Sequence, residues 1–191
     1  MQIVFVTGNE YKFQVAKKAL EGLDVELIKQ DLETPEIQST EVEEVASFSA
    51  KWASNQLQKP VVLSDAGYYI EALGGFPGPF IKFTNKWLTA QDYLNLMRGK
   101  KNRTVITKDC LAYSEPGKEP YTITAEVKAT IAEKAGAKGT TPINEIYIPD
   151  GFDRVESEIP REEMVRYWSE KIPIWPKFAQ YLKSSKQLTE S

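Results

Sequence analysis

Gln2-Ile3-Val4-Phe5-Val6-Thr7-Gly8-Asn9-Glu10-Tyr11-Lys12 is the stretch that decides the fold class. Residues 2–7 form a short apolar run rich in β-branched side chains, the mark of a buried strand. Gly8-Asn9 breaks it. From residue 10 to 20 the apolar positions Phe13, Val15, Ala16, Ala19 and Leu20 fall on a helical stripe. A strand feeding a helix through a glycine turn leaves the first helical N–H groups without acceptors, a ready anion site. Lys12 in the first turn adds positive charge. The same residues also suit a plain tight turn, with Asn9 as helix cap and Lys12 in solvent.

Working outward, residues 25–28 read as a second strand, and 31–38 as a loop holding Pro35. Thr40-Glu41-Val42-Glu43 has the form of a capping box, opening a helix to about Leu57. Pro60 then introduces the strand Val61-Val62-Leu63. Strand, helix and strand at this spacing predict a layered α/β core. Ser64-Asp65 follows at the carboxyl end of that strand, where α/β proteins place catalytic groups, although a turn-capping aspartate fits equally. Residues 72–79 are a stiff glycine- and proline-rich loop whose backbone can approach a ligand, and Lys82 follows it. Thr89 is expected to cap a helix through Met97. Residues 104–113 and 121–132 predict a hairpin, 145–148 a last strand, and 161–171 and 176–183 two helices. From Ser184 the chain is expected to fray. Trp52 belongs to the core, packing is expected at Trp87, and Lys100-Lys101-Arg103 reads as a solvated turn.

Composition removes whole classes of function. The chain has 191 residues, no histidine and one cysteine, Cys110. That excludes Ser-His-Asp and Cys-His mechanisms and any His-ligated or thiolate zinc site. A metal must be held by carboxylates and water, which points to Mg²⁺, with Mn²⁺ as a substitute. A net charge of −3 makes a nucleic acid polymer a poor partner. The amino terminus lacks the basic region of a signal peptide, and no apolar run approaches the roughly 20 residues of a membrane span. A cytoplasmic protein with no membrane association is expected.

The ordered set Thr7-Gly8-Asn9 with Lys12, Pro35-Glu36-Ile37-Gln38, Ala50-Lys51-Trp52, Ser64-Asp65, Glu71-Ala72-Leu73-Gly74-Gly75-Phe76-Pro77-Gly78-Pro79 and Pro149-Asp150-Gly151-Phe152 resembles the inosine triphosphate pyrophosphatases. The resemblance covers nearly the whole chain. It implies a mixed α/β fold with a long twisted central sheet, and one two-lobed domain over residues 1–191 with the nucleotide in the cleft between lobes. It implies a homodimer that hydrolyses a nucleoside triphosphate to the monophosphate and pyrophosphate with Mg²⁺. By the same resemblance Thr7, Asn9 and Lys12 are the triphosphate clamp, and Lys51 and Lys82 bind near the phosphates. Glu36 binds metal, and Asp65 lies near the metal and the attacking water.

The departures from the pattern cluster. The first acid of the family's acidic pair is Ser64 here. The base-recognition loop is Pro142-Ile143-Asn144-Glu145, without its aromatic residue and its acid. The family's Ser-His-Arg segment is replaced within residues 163–171. The triphosphate side is thus kept and the base side rewritten. The expected function is a nucleoside triphosphate pyrophosphatase of altered base preference, with Asn144, Trp168 and Glu170 forming a new base pocket and ITP and XTP not its best substrates. The alternatives are a family member retaining weak activity on inosine or xanthosine triphosphates, and a non-catalytic nucleotide-binding or interaction protein on the same scaffold.

Overall fold

Ile3, Val4, Phe5 and Val6 are all buried, so the first strand has apolar neighbours on both faces. This is the pattern of a central strand in a layered α/β protein. The computed structural model describes residues 1–35 and 37–189. In chain order the elements are β1 (Gln2–Val6), α1 (Glu10–Ala19), β2 (Glu26–Gln30), α2 (Val42–Leu57), β3 (Val61–Ile70), β4 (Pro77–Gly78) and α3 (Ile81–Trp87). There follow α4 (Ala90–Leu96), β5 (Thr104–Ser114), β6 (Tyr121–Ile131), β7 (Tyr147–Pro149), α5 (Arg161–Lys171) and α6 (Ile174–Thr189). The strands form one mixed sheet in the order β2-β1-β3-β5-β6-β7, with β4 on β3. β1 runs parallel to β2 and β3. β4 pairs antiparallel with β3, and β7 antiparallel with β6.

The chain divides into two compact units. The first comprises Met1–Asp65, Asp109–Ala125 and the residues from Pro173 onward. In it α2 presents Val42, Ala46, Ala50 and Ala53, one helical stripe, to Val4, Val6, Val61, Leu63, Cys110 and Ala112. Three alanines let the helix lie close to the strands. On the alternate residues of the strands Phe5 meets Trp175 at 4.9 Å, and Tyr113 meets Phe178 at 5.3 Å. Cys110 is fully buried in this core, a packed thiol.

The second unit comprises Ala66–Lys108 and Glu126–Ile172. Its core gathers Ile70, Tyr93, Met97, Ile131, Ile143, Ile146 and Tyr147. The two tyrosine hydroxyls are satisfied inside it: Tyr93 donates to Thr84 Oγ1 at 2.7 Å, and Thr107 donates to Tyr147 at 2.9 Å. Thr89 and Asp92 form a complete capping box on α4.

Several expectations are corrected. α2 starts at Val42 with Glu41 rather than Thr40 at its N-cap position, and the Thr40 hydroxyl donates to the Glu41 carboxylate at 3.4 Å. β3 extends seven residues past Leu63, so Asp65 lies inside a strand rather than at its end. The reason is β4, whose Pro77 and Gly78 pair with Tyr69 and Tyr68 and hold the strand extended. The glycine loop is filled from within: at Gly78, with φ 57°, a Cβ would stand 3.3 Å from the Tyr69 ring. Residues 81–87 form a helix, α3, and Trp87 at its end is 73% exposed, stacked only on Phe83. Arg103 is no solvated turn residue, because its guanidinium bonds the carbonyls of Ile131 (2.6 Å) and Ala132. Pro142–Glu145 is a 3₁₀ turn, and the strand begins only at Tyr147. Pro176 sits in the first turn of α6, where a missing N–H costs no hydrogen bond, and that helix runs past Lys183 to Thr189.

Candidate functional site

The β1–α1 turn is built by three short-range bonds. The Asn9 N–H donates to Thr7 Oγ1 at 3.1 Å. Asn9, in extended conformation, caps α1 by accepting from the Lys12 N–H at 3.2 Å. The N–H groups of Glu10 and Tyr11 then have no intrahelical acceptor. Both readings of this segment therefore hold together: Asn9 is the cap, and the turn still presents donors. Lys12 is not left in solvent. Its ammonium reaches back over the sheet and donates to the Ser64 carbonyl at 3.3 Å, in a partly buried setting. Glu10, an acid at the mouth of this turn, is neutralised by Lys29 at 2.6 Å. Bonds first from Lys29 and then from Gln14 hold its carboxyl below the usual range.

Lys12 also interacts electrostatically with Asp109 on β5, and Asp109 with Asp65 on β3. β3 and β5 are neighbours in the sheet. Burial pushes the Asp109 carboxyl up to about 6; Lys12 opposes the rise and Asp65 adds to it. Asp109 was not among the residues the sequence singled out. The signal was the lone acid of a β-rich run that also holds Val105, Ile106, Cys110 and Leu111.

The remaining expected residues divide. Lys51, on α2, is paired with the Glu119 carboxylate beyond β5. Lys82 lies on α3 in the second unit, exposed. Glu36 lies outside the described residues. Among the described residues no group of three or more Asp, Glu or Cys side chains converges as a metal cage.

In the second unit Asn144 and Trp168 do come together, on Glu156. Thr140 and Thr141 donate to the Asn144 carbonyl at 3.1 and 2.5 Å, which turns its amide nitrogen away from them. Asn144 and Trp168 hydrogen-bond the Glu156 side chain. Burial pushes this carboxyl up, and the two bonds pull against that rise. One of its oxygens, Oε2, is buried without a partner. The Trp168 ring lies 5.9 Å from Tyr147 and 5.0 Å from Tyr167. The third residue expected here, Glu170, is exposed. It stands two positions past Trp168 on α5, about 200° around the helix. Glu156 takes its place, and no local motif marks it. It lies in a short 3₁₀ turn, twelve positions from each of its partners.

Comparison with known proteins decides the family. The Ham1 family model matches residues 3–169. The chain belongs to the Ham1 family. This bears out the resemblance to the inosine triphosphate pyrophosphatases. A protein of Methanopyrus kandleri named dITP/XTP pyrophosphatase is 34% identical over 185 residues, 97% of this chain and 98% of its own. One of Thermococcus kodakarensis with the same name is 36% identical over 185 residues, 97% of this chain and 99% of its own. Among solved structures, the Ham1 protein of Staphylococcus aureus superposes with a TM-score of 0.79 at 20% identity, covering 97% of this chain and all of that one. The Mycobacterium abscessus nucleoside-triphosphatase / dITP/XTP pyrophosphatase gives 0.75 at 20% identity, over 90% and 94% of the two chains. At that identity the likeness is one of fold, and it bears out the mixed α/β architecture. Among the described residues no helix is long and apolar enough to cross a membrane.

Proposed function

We propose that this Ham1-family chain is a nucleoside triphosphate pyrophosphohydrolase, releasing pyrophosphate from a triphosphate whose base differs from those its relatives are named for. The observation that carries the reading is the β1–α1 turn, with Lys12 held 3.3 Å from the Ser64 carbonyl, next in sequence to Asp65, and within electrostatic reach of Asp109. A triphosphate needs donors and positive charge next to acids that can orient water, and this turn supplies both. The relatives' names support the same reaction class.

In the proposed reaction Lys12 and the first-turn N–H groups bind phosphate oxygens. Asp65 orients a water molecule and accepts its proton. The water oxygen bonds to the α-phosphorus as the α–β bridging bond breaks, and pyrophosphate leaves. The donor set around Asp65 is oxygen only, which suits Mg²⁺ or Mn²⁺ completed by water and phosphate, with Glu36 as a further ligand. When bound, the cation neutralises charge on the transferred phosphoryl group. Lys51 and Lys82 are proposed as further phosphate contacts. For Lys51 this requires release from Glu119, a part-exposed pair of small energetic weight.

The altered base preference is supported by the Asn144–Glu156–Trp168 cluster. A carboxylate with an unserved oxygen accepts N–H donors and repels carbonyl oxygens. It therefore favours a base with an amino or imino edge. Pyrophosphate release from a panel of natural and modified triphosphates, with Mg²⁺ and with Mn²⁺, tests the reading, with Asp65→Asn as control. Turnover abolished by that substitution supports a hydrolase. Binding without turnover by folded protein would replace it with a nucleotide-binding protein on the same scaffold. A homodimer, implied by the resemblance, is tested by sedimentation of the same preparation.

A further inference from the structure

We propose that the Asn144–Glu156–Trp168 cluster takes a nucleotide whose base carries a fixed positive charge, an N-alkylated purine or pyrimidine. The proposal rests on the base-pocket reading above for its setting and deepens it by naming the class of base. Three observations carry it, all within the second unit. First, the charge: Glu156 brings a carboxylate to the cluster, and the side chains that bond it, Asn144 and Trp168, are both neutral. Its Oε2 is buried without a partner. Second, neighbouring cations are turned elsewhere. Arg154 pairs with Asp153 at 3.7 Å and Lys171 with Asp150 at 3.1 Å. Arg166 stands two positions before Trp168, about 200° around α5. Third, the rings: Trp168 lies 5.9 Å from Tyr147, and Tyr68 lies 5.4 Å from the same Tyr147. Trp168 and Tyr68 are only partly buried, so both keep ring surface open.

A buried carboxylate with only neutral partners leaves negative charge uncompensated in a poorly screening interior. The rings beside it add the negative faces of their quadrupoles. The Trp168 indole has a donor and no acceptor, so its N–H donates to Glu156, a bond that polarises the ring further. A flat cation is attracted by both the rings and the carboxylate, while a neutral base of the same shape gains neither advantage. Direct contact with Oε2 is not required, because the charge acts over distance. A metal ion does not suit the cluster, since one carboxylate supplies too few oxygen ligands. The competing role is that Glu156 merely ties Asn144 to Trp168, which needs no ligand.

The test is calorimetric titration of the full chain with 5′-monophosphates, which cannot release pyrophosphate. Adenosine is compared with 1-methyladenosine, and cytidine with 3-methylcytidine, both methylated bases being cations at neutral pH. The methylated member of each pair is expected to bind about tenfold more tightly. Glu156→Gln, which keeps the side chain's shape, is expected to remove most of that preference and leave the affinity for the neutral member unchanged. Equal affinities within both pairs for the unsubstituted chain overturn the proposal without recourse to any variant. A preference that survives in folded Glu156→Gln and Trp168→Ala also overturns it. Pyrophosphate release from the corresponding triphosphates separates the two readings. Tighter binding of the cationic bases with no turnover of any triphosphate removes the hydrolase reading alone. Turnover of neutral triphosphates with no preference in binding removes this proposal alone.

Discussion

The β1–α1 turn of the first unit and the Asn144–Glu156–Trp168 cluster of the second are built differently. In the first, Thr7, Asn9 and Lys12 lie within six residues of one another, and the short-range bonds of one turn bring their backbones together. In the second, Asn144, Glu156 and Trp168 come from a 3₁₀ turn, another 3₁₀ turn and a helix, twelve residues apart at each step. Phosphate is the same on every nucleotide, so a local motif can bind it by charge and free N–H groups. A base is read by the placement of a few donors and acceptors, and that placement belongs to tertiary structure. Under the proposed function the turn would serve as a phosphate clamp and the cluster as a base pocket, and the difference is why one could be kept while the other is rewritten. The first arrangement depends on a turn and the second on side chains packed from separate segments, so one can change without the other.

The comparison can be broken or sharpened by substitution. Asp65→Asn is expected to lower kcat for pyrophosphate release by about a thousandfold, equally for every triphosphate accepted. A loss that depended on the base would show that the two units do not act separately. Lys12→Ala should cost about a hundredfold in kcat/KM, again regardless of base, because a charged contact to phosphate is lost.

A third prediction concerns stability. The Asp109 carboxyl titrates near 6 in the folded chain against an ordinary 3.8. Between those values the native state holds the proton more than the unfolded chain does, so this group's contribution to stability is greatest at low pH and declines as pH rises from about 4 through 6. In chelated buffer Asp109→Asn should remove that decline. At pH 7 the variant should be the more stable by about 2 kcal/mol, after discounting for part exposure, as read by urea denaturation at pH 4, 5, 6 and 7. Parallel pH curves for the two proteins would refute it.

The smallest effect is on the base side. Glu156→Gln should change the ratio of kcat/KM between bases by about tenfold, while the summed response to added inorganic pyrophosphate as inhibitor stays as it was. An equal loss on all triphosphates would place Glu156 in folding rather than in discrimination.

What the sequence by itself determined is what short-range chemistry controls. The strand-turn-helix at residues 2–20 was legible because its apolar period changes across a glycine, and the turn's bonds span no more than three positions. The absence of histidine excludes imidazole chemistry from the chain outright. The order of motifs gave the family. Tertiary structure decided the rest. Asp65 lies inside a strand because β4 pairs alongside it. Asp109 comes within electrostatic reach of Asp65 only because β5 lies next to β3 in the sheet. Glu156, not Glu170, meets Asn144 and Trp168, because a helix turns by about 100° per residue and carries Glu170 to the far side. In each case the partner is fixed by which backbone lies alongside, a contact between residues distant in sequence that neither composition nor local period records.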